Sequence, residues 1–68
     1  MNEKLENALF EARPYVEYYE DVERLVRTLW DKATDEENFR DLLENEIKLA
    51  GEPFKTDLRI FLQKFEGL

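Results

Sequence analysis

Apolar side chains recur at helical spacing along almost the whole chain. The longest such run without Gly or Pro covers residues 15–33, YVEYYEDVERLVRTLWDKA. Tyr15, Tyr18, Tyr19, Val22, Leu25, Val26, Leu29, Trp30 and Ala33 follow one another there mostly in steps of three and four, as one face of a 3.6-residue helix requires. The pattern predicts a single helix over 15–33. Its apolar arc, from Leu25 round to Trp30, is broader than a two-position seam, so the helix is expected to touch two neighbours. The remaining segments are expected to pack onto it.

Three further stripes flank this run. Leu5, Ala8, Leu9 and Ala12 predict a helix over about 3–12, with Asn2 as N-cap and Glu3 and Glu6 near its positive end. Pro14 separates it from the long run. Proline lacks an N–H, and its ring collides with the carbonyl four residues back. The stripe of Leu5, Leu9 and Ala12 also sits about a quarter turn from that of Val22, Val26 and Leu29 when residues are spaced at ~100°. A kink or a short break at Pro14 is therefore expected. Thr34 followed by Glu37 reads as a capping box opening a helix over 35–49, with Phe39, Leu42, Leu43, Ile47 and Ala50 on one face and Gly51 placed to end it. Phe54, Leu58, Phe61, Leu62 and Phe65 mark a last helix over about 54–65, with Thr56 as an internal cap and Gly67 as its stop. The fold class is all-α: a three- or four-helix bundle in one domain over 1–68, its short connections favouring up-and-down neighbours.

Size and charge narrow what such a bundle does. At 68 residues without Cys or His, no disulfide or ordinary zinc site supplements a core that by itself supplies ~3–5 kcal/mol. Seventeen acids against ten bases leave a net charge of -7, which disfavours direct binding to nucleic acid or to anionic membrane. No apolar run approaches the ~20 residues of a membrane span. The first residues lack the basic and apolar regions of a signal peptide. A cytoplasmic protein is expected.

The inventory for catalysis is thin. Ser, Cys and His are all absent, which removes the usual nucleophiles and the commonest general base; no enzyme, no catalytic residue, no cofactor and no small-molecule substrate is expected. Asp35, Glu37 and Asp41 resemble part of a calcium loop, but Arg40 stands where that loop needs Gly, and no metal site is expected. Two surfaces remain. Val16, Tyr19 and Trp30 fall at one edge of the long run's arc, and aromatic residues with a polar tip favour interfaces. Either they complete the small core, or they are the candidate surface for a protein partner or for a second copy in a homodimer. Residues 34–50 hold six acids against two bases. Within them Glu37, Asp41 and Glu44 form a candidate acidic face that mimics spaced phosphates and occupies a basic groove on a nucleic-acid-binding protein.

Residues 8–33 also carry a resemblance. The opening ALFEARPYV, followed by a helix with the pattern Leu25-x-x-x-Leu29-Trp30-x-x-Ala33, resembles short helical proteins encoded by tailed phages and prophages. The resemblance implies a small accessory or regulatory protein acting in a bacterial cytoplasm. It carries over no activity and no functional residue, and this chain departs from the pattern in its three tyrosines and its two further helices.

Overall fold

Proline at position 14 ends a helix here and does not merely bend one. The computed structural model describes residues 3–67; Asn2, expected as the first N-cap, lies outside them. Helix α1 spans Glu3–Ala12 and gives way to a single 3-10 turn at Arg13–Tyr15, with Pro14 inside it. Val16 is extended (φ -104°, ψ 149°), and helix α2 begins only at Tyr19 and runs to Lys32. The expected unbroken helix over 15–33 is thus shorter by four residues at its start. Tyr15 and Tyr18 continue the apolar spacing, yet both are exposed: a tyrosine at helical register does not distinguish a core position from a surface one.

Helix α3, Glu36–Leu49, follows after three residues, and α4, Phe54–Glu66, after four more. The α3 cap differs from the expected one. Asp35, not Thr34, is the N-cap: its carboxylate accepts from the Asn38 backbone N–H at 2.8 Å, while the Asn38 side chain accepts from the Thr34 N–H at 3.0 Å. The reciprocal logic of a capping box survives, with Asp and Asn in place of Thr and Glu. Gly51 does not terminate α3 in a left-handed turn; Ala50 closes it in extended geometry, and no glycine has positive φ. Thr56 lies inside α4, and its N–H and hydroxyl both donate to Glu52 Oε1, at 3.0 and 2.6 Å.

The helix around which the others gather is α4. It lies most extensively along α1 and also meets α2 and α3, whereas α2 buries only Val22, Val26 and Leu29. The two main neighbours of α2 are α3 and α4. Leu58, Phe61 and Phe65 of α4 are fully buried, and Phe39 from α3 lies 5.2 Å from the Phe65 ring and 6.4 Å from that of Phe61. Edge-on and tilted rings at these separations are favourable beyond the area they bury. Among the described residues there are four α-helices and no strand, and no helix is long and apolar enough to cross a membrane.

Candidate functional site

The break between α1 and α2 needs a partner for its backbone, because residues that leave a helix expose N–H groups. Asp57, in the first turn of α4, supplies it. Its carboxylate accepts from the Glu17 N–H at 3.1 Å and from the Tyr18 N–H at 2.8 Å, and the residue is only 3% exposed. It is the one buried charged residue among those described. Tyr18, the N-cap of α2, makes no side-chain cap of its own. A carboxylate from another helix therefore takes the place of a local cap, and its negative charge suits the positive end of α2. The sequence held a signal for this: Asp57 stands three residues after Phe54 and four before Phe61, on the buried stripe of α4. An acid at such a position implies a buried donor facing it.

The segment so fixed presents aromatic side chains to solvent. Phe10 is 74% exposed, Tyr15 63% and Tyr18 47%. Phe10, Glu11, Arg13, Pro14 and Tyr15 together line an open hollow of about 530 Å³. Two cations help hold the rings: Lys64 lies over Tyr15 at 4.6 Å, and Arg13 over Tyr19 at 5.1 Å. Both distances are within the reach of a cation–π attraction.

The expected partner residues are divided by the fold. Val16, Tyr19 and Trp30 are all half-buried and packed against the core. The Trp30 ring meets Phe39 edge-on at 5.1 Å between centroids. Eleven residues of helix, about 16 Å of rise, separate Tyr19 from Trp30. Phe10, Tyr15 and Tyr18 are instead the exposed aromatics, and a Phe one residue off the α1 stripe was the cue for the first of them. On α3, Glu37, Asp41 and Glu44 are all exposed, and none of the three is ion-paired among the described residues.

Ion pairs elsewhere join the helices. Arg27 of α2 donates to both oxygens of Glu6 on α1 and, at 2.9 Å, to Glu23 one turn back. Hydrogen bonding from Arg27 holds the Glu6 carboxyl below its ordinary 4.5. Within α2, Arg24 pairs with Asp21 at 3.2 Å. Lys4 of α1 reaches Glu36 of α3 at 2.8 Å and lies over the Phe65 ring. The aromatic turn itself stands open to solvent at Phe10 and Tyr15.

No curated protein and no solved structure matches the chain. One family model does match it, over residues 2–68. On that match the chain belongs to the MJ1579 family.

Proposed function

We propose that the chain is a small acidic, non-enzymatic protein–protein interaction module, accessory or regulatory in character as its phage-type resemblance implies. Its contact surface is the aromatic turn. The observation that carries this reading is the exposure of Phe10 and Tyr15 around one hollow, beside Pro14. Large exposed apolar groups gathered at one place mark interaction sites, whereas scattered ones do not. Phe10→p-benzoylphenylalanine, photo-activated in the cells that produce the protein, tests it. Discrete cross-linked adducts are expected from position 10 and none from the same change at Asp31, an exposed site outside the hollow. Equal adduct patterns from both positions would contradict it.

A second reading rests on a separate observation, the exposure of Glu37, Asp41 and Glu44 without ion pairs among the described residues. That face would occupy the basic groove of a nucleic-acid-binding protein. Binding of this kind weakens steeply with salt and is lost on Glu37→Gln, Asp41→Asn and Glu44→Gln together, while Phe10→Ala leaves it intact.

A further inference from the structure

Two further hollows border the one at the aromatic turn. Arg13 also lines a second one with Glu17, Tyr18, Glu20 and Asp21, and Glu20 in turn borders a third with Glu23 and Arg24. The three adjoin through these shared residues, from the end of α1 across the turn and onto α2. Their chemistry changes along the way. The first is bounded by Phe10, Pro14 and Tyr15; the second sets Glu17, Glu20 and Asp21 against Arg13 alone, and the third balances Glu20 and Glu23 with Arg24 and Arg27.

Two of the three cations lining this trough are held in ion pairs, Arg24 with Asp21 and Arg27 with Glu6 and Glu23, and Arg13 is drawn onto the Tyr19 ring. Glu11, Glu17 and Glu20 are exposed, and their carboxylates make no ion pair among the described residues. Two placements also run against local preference. Glu11 stands in the last turn of α1, the negative end of the helix dipole, where no base accompanies it. Phe10 beside it is three-quarters exposed. Adjacent departures of this sort concentrate where a surface is kept for binding.

We infer that the trough receives a basic segment of another protein, which seats one apolar side chain between Phe10, Pro14 and Tyr15 and sets lysines or arginines against Glu11, Glu17 and Glu20. This rests on the aromatic turn being the contact surface and adds the chemistry of the partner. A second copy does not fit the same description. The chain carries -7 and has no two adjacent cations anywhere in its sequence, so a like surface would bring unpaired carboxylates together.

Two fluorescein-labelled peptides test the inference by anisotropy and by amide shifts: one with Leu-Trp ahead of a run of lysines, the other with Ser-Ser in place of Leu-Trp. The anchored peptide is expected to bind about tenfold or more tightly than the other, as burial of a large apolar side chain implies. Its affinity should fall on raising salt from about 50 to 300 mM, across which exposed charges become screened. Glu11→Gln, Glu17→Gln and Glu20→Gln together should weaken it by about tenfold, and Phe10→Ser should abolish the preference for the anchor. All four sites are exposed, and circular dichroism checks that the variants stay helical. No binding, equal binding of both peptides, indifference to neutralisation, or shifts confined to α3 would each overturn the inference. If the anchored peptide fails while position 10 still cross-links to a discrete protein, the aromatic turn remains the contact surface and only its basic partner is wrong. Adducts of twice the chain mass would name a second copy instead.

Discussion

Asp57 does for α2 what a serine or aspartate N-cap does elsewhere, but from forty residues away in sequence. Its removal strands two N–H groups and leaves a gap under the turn. Asp57→Ala is therefore expected to destabilise the fold by about 2–3 kcal/mol, the usual penalty for unmaking such bonds. Asp57→Asn keeps one acceptor oxygen and should lose clearly less. Urea unfolding followed by circular dichroism measures both, and equal losses would show that the carboxylate's charge and its two acceptor oxygens, not its shape, matter at this site. The α3 cap offers a second comparison. Asp35→Ala should cost about 1 kcal/mol, and Thr34→Ala almost nothing, because Thr34 contributes only its backbone N–H. The reverse ranking would restore the capping box that spacing alone suggests. Asp35 shows how near a sequence reading comes: the acid-rich boundary was visible, but which of two adjacent oxygen-bearing residues caps depends on backbone angles.

At the scale of elements, most of the bundle was legible. The buried stripes of α1, α3 and α4 follow the apolar period, because a helix that packs one face must repeat every three to four residues. What the period hid was the start of α2. Tyr15, Tyr18 and Tyr19 extend the stripe of Val22 and Val26 backwards, yet the backbone at 16–18 is pulled out of the helix by Asp57 and by the half-buried Val16. That is a tertiary cause, with no local signature beyond Pro14. Position on the arc does not report exposure either: Trp30 lies on it and is half-buried, whereas Phe10, one residue off the α1 stripe, is exposed. Pro14→Ala should accordingly leave α2 beginning at Tyr19, with extended Cα shifts at Val16 in NMR. Helical shifts running through 13–18 would mean that the proline alone makes the break. The ion pairs between elements set a pH dependence. Glu6 is held below 4.5 by the hydrogen bond from Arg27, and Glu52 by that from the Thr56 hydroxyl. A carboxyl depressed in the fold adds stability while ionised, fully present above the unfolded value and lost as pH falls through the folded one. Stability should decline as pH drops below 4.5, partly offset by relief of the net negative charge. Arg27→Gln isolates the Glu6 share: its unfolding midpoints should show a shallower decline over that window, and an unchanged slope would show that the Glu6–Arg27 pair does not set the pH dependence.

The molecule as a whole closes on itself. Its radius of gyration, 10.6 Å, matches the ~11 Å expected of a lone domain of this length. Among the described residues thirteen buried apolar side chains, with α4 at the centre, form one core. A fold this small has little stability to spare, so a turn kept exposed and aromatic is paired with a buried carboxylate that fixes it. A contact surface here requires that turn to be held and not a loose connection, and backbone amide hydrogen exchange at Glu17 and Tyr18 reads this directly. In the wild-type chain both amides should exchange slowly, and in Asp57→Ala both should lose that protection while the amides of Leu43 and Phe61 keep theirs. Fast exchange at Glu17 and Tyr18 in the wild-type chain, or protection untouched by Asp57→Ala, would contradict it.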